Sequence, residues 1–350
     1  QITGYPWDGD VKLKVNSAPG ESFEMALRIP SWAKNEVLPG NLYTFSDDKN
    51  PVFSIKINGK YEAFEIENGY AILAKKWRKG DEIQISLPLE TRRVKADKRV
   101  KDNIGKVALM RGPMVYCVEW PDFESKRVLN LVLPTESKLK TTFKPDFLGG
   151  VAVVEGKGSS VKKTEDGKLT DSPVNITAIP YFAWANRGSG EMAVWLATSK
   201  EYTKPLPQPT VASTSVISAS AKKSSIVAIN DGLLPEHSND RSVIYYHWWP
   251  EKDTTHWIQY NFEKPTEISS SKIYWFDDGP FGGCRIPASW KLFYKTTSGD
   301  WKAVENEEDY PIVKDKLNSI QFKNVTTSAI KLEVQLPADN SAGIYEWIVE

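Results

Sequence analysis

Cysteine is nearly absent: of 350 residues only Cys117 and Cys284 carry a thiol, and only three are histidine. So sparse a set excludes a disulfide-stapled framework. A single bridge between the two and two free thiols buried as small hydrophobes are the alternatives, the second being the expectation. Zinc needs three or four Cys, His or acidic ligands at characteristic spacing. The cysteines do not cluster, and His237, His247 and His256 are accompanied by no second motif, so no zinc is expected in this chain. Net charge is missing as well, with 45 basic residues against 45 acidic. Residues 223–350 hold 13 basic and 19 acidic side chains, which argues against nucleic acid and against anionic membranes. No apolar run approaches the roughly 18 residues of a membrane span. The chain starts Gln1-Ile2-Thr3-Gly4, with neither an initiator Met nor a signal peptide. It reads as a piece of a longer protein, so the missing leader says nothing about compartment. Helical periods closed by caps and repeats at a fixed spacing are also lacking.

What is present is alternation. Val11-Lys12-Leu13-Lys14-Val15 and Phe23-Glu24-Met25-Ala26-Leu27-Arg28-Ile29 have period two, as do Phe53, Ile55, Ile57 and Ile83, Ile85, Leu87. That period marks strands with one face on a core and one in water. Asn58-Gly59 suits a type I′ turn between two such runs, and Asn68-Gly69 and Lys79-Gly80-Asp81 read as further turns. The fold class is all-β, antiparallel and built of sandwiches. The length calls for two or three domains. Residues 1–99 are expected to form one sandwich and 100–200 a second, with strands near 106–110, 115–119, 151–155, 176–182 and 192–196. The Gly-, Ser- and Lys-rich stretch 156–168 reads as an exposed, mobile loop. Residues 201–222 have linker composition, and 223–350 form the last domain.

Four stretches of the first two hundred residues carry a resemblance. They are Thr3-Gly4-Tyr5-Pro6-Trp7-Asp8-Gly9, Leu27-Arg28-Ile29-Pro30-Ser31-Trp32-Ala33, Gly105-Lys106-Val107-Ala108-Leu109-Met110-Arg111-Gly112-Pro113-Met114-Val115-Tyr116, and Ile179-Pro180-Tyr181-Phe182-Ala183-Trp184-Ala185-Asn186-Arg187-Gly188 with Met192 and Trp195. Together they resemble the region downstream of the catalytic barrel in glycoside hydrolase family 127, the β-L-arabinofuranosidases. The resemblance implies an (α/α)6 barrel elsewhere, holding a cysteine nucleophile, a glutamate acid/base and the zinc. No such barrel lies in these residues. Cys117 sits in an alternating strand, so no catalytic position maps onto it. The resemblance also implies a periplasmic or extracellular setting.

The last third resembles a coagulation factor 5/8 C-type, or discoidin-like, jelly-roll sandwich through Ala228-Ile229-Asn230-Asp231-Gly232, Trp257-Ile258-Gln259-Tyr260-Asn261-Phe262 and Gly343-Ile344-Tyr345-Glu346-Trp347. That resemblance implies a structural calcium in 223–350, with Asp231 and Glu346 as ligands and Asp240 as an extra one. The alternative is an Asx-turn at Asp231 and a solvent-facing Glu346. The departure is Leu233-Leu234-Pro235-Glu236 where the resemblance expects a threonine-bearing loop.

Sugars are gripped by flat aromatic faces and a few polar groups. Within Tyr245-Tyr246-His247-Trp248-Trp249, neighbours must point to opposite faces. Tyr246, Trp248, Trp249, Trp275, Asp277, Phe281 and Arg285 are the candidate carbohydrate contacts, with packing against another domain as the competing reading. Glycoside hydrolysis needs two carboxyl groups at a set separation, and no pair stands out among 45 acids. Arg111 and Arg187 are expected to brace turns by donating to backbone carbonyls, or else to contact the barrel. The chain is therefore read as a non-catalytic accessory region whose partners are its own barrel, a glycan, or a second copy in a homodimer.

Overall fold

The computed structural model describes residues 1–164, 166–188, 190–221 and 225–350, so the boundary expected at 222/223 lies outside the described residues. The chain is nearly all strand, and its described helices are short 3-10 turns. No described helix is long and apolar enough to cross a membrane. Two compact units divide it, Gln1–Leu206 and Pro207–Glu350.

The first unit opens with a sandwich. Asp10–Lys14, Glu82–Ser86 and Ser54–Ile57 lie side by side, edged by Ile2–Thr3 and Lys60–Tyr61; Phe23–Arg28, Tyr70–Lys75 and Glu65–Glu67 make the other sheet. The alternating residues meet as expected. Ile55, Ile57, Ile83 and Ile85 from one sheet pack with Leu27, Ala71 and Leu73 from the other, around Ile29 and Trp77. Asn58 and Gly59 have φ of 49° and 83°, and Asn68 and Gly69 have 50° and 84°. Both central residues of a type I′ turn need positive φ, which Asn tolerates and Gly adopts without steric cost.

The boundary expected at 99/100 falls earlier. Thr91–Ala96 pairs with Lys106–Arg111 and so belongs to the second sheet. Its other edge receives Tyr43–Phe45, a strand from the middle of the first sandwich. Val94, Ala108 and Met110 also reach into the first core, so the two cores share a wall. Beyond that wall, Lys106–Arg111, Met114–Glu119, Leu169–Pro180, Val151–Lys163, Leu131–Val132 and Leu196–Ala197 pair in turn, and the last returns to the first. The ring encloses Leu109, Tyr116, Val118, Leu131, Val154, Ile176 and Leu196.

Two expectations drawn from composition are corrected. Within the stretch 156–168, residues 156–163 are strand rather than loop. Val151–Lys163 runs through it and pairs without interruption with Leu169–Pro180, from Val154↔Ala178 to Lys163↔Leu169. Small residues serve close packing here, because a Cβ at Gly158 would strike the Val132 carbonyl oxygen and the Ile176 side chain. The stretch 201–222 is not a plain linker either. Lys204 and Leu206 donate backbone hydrogen bonds to Leu129 and Val161 in the first unit. Val216–Ala219 is a strand of the second unit, paired with Thr255–Phe276, and Ala212 and Ala219 enter that unit's core.

The described second unit is a seven-stranded antiparallel arrangement, six strands ordered Tyr246–His247, Gly343–Val349, Thr255–Phe276, Leu317–Gln335, Ser289–Lys295, Trp301–Ala303 and the seventh, Val216–Ala219, pairing with Thr255–Phe276 off that path. Register shifts at Asn261/Thr266 and Ile268/Ser270 interrupt its longest pairing; such bulges bend a strand and sharpen its twist. Trp248, Trp275, Trp290 and Trp347 fill the core with Tyr246 and Tyr260. Of their polar tips, Tyr260 donates to the Trp347 carbonyl (2.8 Å), Trp347 Nε1 to Ser271 (2.8 Å) and Trp290 Nε1 to the Pro311 carbonyl (2.7 Å).

A Gly158→Ala substitution is expected to destabilise the first unit by about 1–3 kcal/mol through overpacking against backbone that cannot retreat. Urea denaturation checks this, and an unchanged midpoint would refute the close-packing account.

Candidate functional site

Strand alternation sorts the aromatic run at 245–249. Tyr246–His247 pairs with Gly343–Val349. Tyr246 and Trp248 turn inward, are fully buried and meet edge to face at 5.3 Å, and the Tyr246 hydroxyl donates to the Ala221 carbonyl at 2.6 Å. Tyr245, His247 and Trp249 turn the other way and line a cavity of about 170 Å³ with Phe276, Asp278 and Gly283. Trp249 is 46% exposed. Its indole lies on Gly283, where any Cβ would collide with it, so glycine leaves the ring a flat bed. Tyr245 stacks on Phe276, with centroids 3.8 Å apart and planes 10° apart.

Charge is arranged around that stack. The Arg241 guanidinium lies 5.3 Å over the Tyr245 ring and 5.2 Å over Phe276, within cation–π range. It donates to the Tyr245 hydroxyl and pairs with Asp278 at 3.3 Å. Asp278 also accepts the Cys284 N–H at 2.8 Å. The cavity thus offers aromatic faces beside an oriented cation and anion.

The residues expected to contact sugar are only partly brought together. Trp249 lines the cavity, and Phe281, 99% exposed, stands on the surface of the same unit. The others do structural work. Tyr246, Trp248 and Trp275 are core residues. Asp277 is buried, accepts the Gly279 and Ile286 N–H groups and pairs with Lys314 at 3.1 Å. Arg285 donates to the Gly282 (2.9 Å), Cys284 (2.7 Å) and Pro280 (3.3 Å) carbonyls, so its fork closes the loop on which it sits. Tyr245, His247, Arg241 and Asp278 were missed. The parity of the 245–249 run was the signal for the first two.

The three candidate calcium ligands separate for the same reason. Glu346 is buried and accepts the Gly232 N–H at 2.7 Å. Burial, with the neighbouring Asp231 charge added, pushes its carboxyl up to about 9. Asp231 accepts the Leu233 N–H at 2.9 Å, the Asx-turn geometry. Asp240 belongs with the opposite face. Its backbone carbonyl accepts the Tyr345 hydroxyl at 2.9 Å, and Tyr345 and Glu346 are strand neighbours. Hydrogen bonds from Ser242 and from the Glu236 N–H hold the Asp240 carboxyl down at about 2. Among the described residues no group of three or more His, Cys, Asp or Glu side chains converges to hold a metal.

In the first unit the buried charges are locked in pairs. Arg187 donates to Glu119 (2.6 and 3.0 Å) and to Asp122 (2.6 and 2.8 Å), which raises its pKa further, and its guanidinium lies over the Phe147 ring. Carboxylates, not the expected carbonyls, are its partners; a fork of donors matches two carboxylates well. Glu119 in turn accepts the Ala185 N–H at 2.8 Å. Arg111 does bond carbonyls, those of Trp7 (3.0 Å) and Pro6 (3.5 Å). Arg127 pairs with Glu191 at 2.6 Å. Cys117 and Cys284 are both free and buried, and burial pushes each thiol up to about 12.

Comparison with known proteins places the first unit. Residues 1–89 match the β-L-arabinofuranosidase GH127 middle domain, and residues 91–197 match the glycoside hydrolase family 127 C-terminal domain. A non-reducing end β-L-arabinofuranosidase of Bifidobacterium longum subsp. longum is 30% identical over 213 residues, which is 56% of this chain and 29% of that protein. A solved GH127 β-arabinofuranosidase is 39% identical with a TM-score of 0.56, over 60% of this chain and 32% of that one. The chain therefore spans less than a third of the length of either relative.

Proposed function

We propose that this chain, whose residues 1–197 are the middle and C-terminal domains of glycoside hydrolase family 127, is the non-catalytic accessory part of a β-L-arabinofuranosidase-type enzyme. It braces a catalytic (α/α)6 barrel carried elsewhere in the same polypeptide and works in a periplasm or at a cell surface. One observation carries the reading: the reactive groups buried in residues 1–206 are committed to structure. The Cys117 thiol is 1% exposed and held up at about 12, so it supplies no thiolate at neutral pH. Glu119, Asp122 and Glu191 are tied to Arg187 and Arg127 rather than poised as an acid and a base.

A second role belongs to Pro207–Glu350 and rests on the cavity at Trp249. An exposed indole face, a stacked Tyr245 and the Arg241–Asp278 pair suit the apolar face and hydroxyls of a sugar. About 170 Å³ is the liquid volume of roughly five or six waters, which fits one sugar ring rather than a chain. The same unit takes a structural calcium at Asp231 and Glu346. Two neighbouring carboxylates, one buried and raised to about 9, suit a hard cation completed by loop carbonyls. The ion would neutralise the pair and tie the 231–233 turn to the last strand. Asp240 takes no part.

Three outcomes are expected. Incubated with p-nitrophenyl β-L-arabinofuranoside, the purified chain releases no nitrophenol above background, and the reading frame ahead of Gln1 encodes a barrel. Release at a rate typical of an intact enzyme, or a frame without a barrel, refutes the accessory reading. In calorimetric titration against arabinan fragments and galactosides, the chain gives millimolar binding that Trp249→Ala abolishes. Absence of heat at saturating sugar retires the glycan role. Calcium chloride raises the melting temperature of the wild-type chain but not of Glu346→Gln, whereas equal responses in the two remove the metal.

A further inference from the structure

We infer that Asn68 is a site of spontaneous covalent modification: the Gly69 amide nitrogen attacks its carboxamide, and water converts the product to aspartate and isoaspartate. Asn58, which also precedes a glycine, is protected.

Asn58-Gly59 and Asn68-Gly69 are the chain's two Asn-Gly pairs. Glycine has no Cβ to shield its nitrogen, so an Asn side chain reaches the following amide easily in such a pair. Both pairs sit at hairpin turns with positive φ, and both Asn side chains are exposed to water. Exposure therefore does not separate them, but hydrogen bonding does. Asn58 Nδ2 donates to the Asp81 carboxylate at 2.9 Å, its Oδ1 accepts the Glu82 N–H at 2.9 Å, and its own N–H donates to the Glu82 carbonyl at 2.8 Å. All three bonds tie it to the start of the neighbouring strand Glu82–Ser86. The Asn68 carboxamide makes no hydrogen bond among the described residues.

Ring closure requires the Asn backbone to rotate out of its turn conformation, so local opening comes first. At Asn58 opening breaks all three bonds. At Asn68 it loosens only the end of Glu65–Glu67, whose three residues are exposed at the outer edge of their sheet. The Ile29 N–H bond to Gly69 (2.9 Å) holds the glycine carbonyl and leaves its nitrogen available. Charge acts in the same direction. The Arg28 guanidinium lies so near Gly69 that any Cβ there would strike its Nη1. The attacking species is an amide nitrogen that has given up its proton, and a cation beside it favours that anion. Asn58 has the Asp81 carboxylate beside it instead, which disfavours the anion.

The step balances without any cofactor. The Gly69 N–H gives its proton to solvent base, the nitrogen bonds to Asn68 Cγ, and the bond from Cγ to the side-chain nitrogen breaks, releasing ammonia. Water then adds to one of the two carbonyls of the resulting succinimide. Opening on one side gives aspartate, and on the other isoaspartate, with the backbone rerouted through Cβ and Cγ. The turn joining Glu65–Glu67 to Tyr70–Lys75 thereby gains a negative charge within reach of Arg28.

The test stores the 350-residue chain at mildly alkaline pH and follows both sites by peptide mapping with mass spectrometry; Lys60 lies between them, so trypsin puts them on separate peptides. In the folded chain, amide-to-acid conversion at Asn68 is expected to run at least about tenfold faster than at Asn58, because each lost hydrogen bond shifts the opening equilibrium severalfold. In denaturant the two are expected to convert at similar rates. Asp81→Ala is expected to raise the Asn58 rate toward that of Asn68, and Arg28→Gln to slow Asn68 severalfold. Equal rates in the folded chain, or a faster Asn58, overturn the assignment. So does an Asn68 that stays intact while the denatured chain converts. A well-folded Asp81→Ala chain with Asn58 still slow overturns the account of protection, and an unchanged Arg28→Gln rate overturns the part given to charge.

Discussion

Successive side chains of a strand leave on opposite faces, and that single geometric rule decides what each part of this molecule can do. In the second unit it sends Tyr246 and Trp248 into the core and leaves Tyr245, His247 and Trp249 around a cavity. It sets Tyr345 toward Asp240 and Glu346 toward Asp231, so acids close in sequence serve different faces. In the first unit it brings isoleucines of one sheet against leucines and an alanine of the other in one core and leaves lysines and glutamates of the same strands in water. With every second residue committed to packing, polar chemistry is confined to loops and strand ends.

Those loops are stabilised by pairing buried charge, at a cost that only complete pairing offsets. Glu119 is almost wholly buried, and removing one partner of such a pair costs about 3–5 kcal/mol because the other is left uncompensated. Arg187 therefore serves the 181–187 loop as a rivet. Arg285 and Asp277 act similarly in the second unit, gathering loop carbonyls and N–H groups rather than facing a ligand.

The strands were legible where apolar and polar residues alternate, as in Phe23–Arg28, Ser54–Ile57 and Glu82–Ser86. The Asn-Gly turns were legible because few residue pairs accept two positive φ angles in succession. Composition misled where small residues fill tight places: Gly158 reads as loop yet lies beneath Val132, and Ala212 and Ala219 read as linker yet are core. The site was half legible. Aromatic abundance pointed to 245–249, but choosing Tyr246 and Trp248 ignored the parity that buries them. Arg241 and Asp278 gave no sign in the sequence, since their meeting depends on loops brought together by tertiary packing.

The short strand Tyr43–Phe45 leaves the first sandwich to complete the outer edge of the second sheet. The two matched family domains are thus stitched, each lending part of its hydrogen-bonding to the other. A gene fragment starting at residue 91 would present Thr91–Ala96 as a bare edge, open to pairing with its own copies and to precipitation. The natural seam between these domains in evolution is therefore a poor place for scissors in the laboratory.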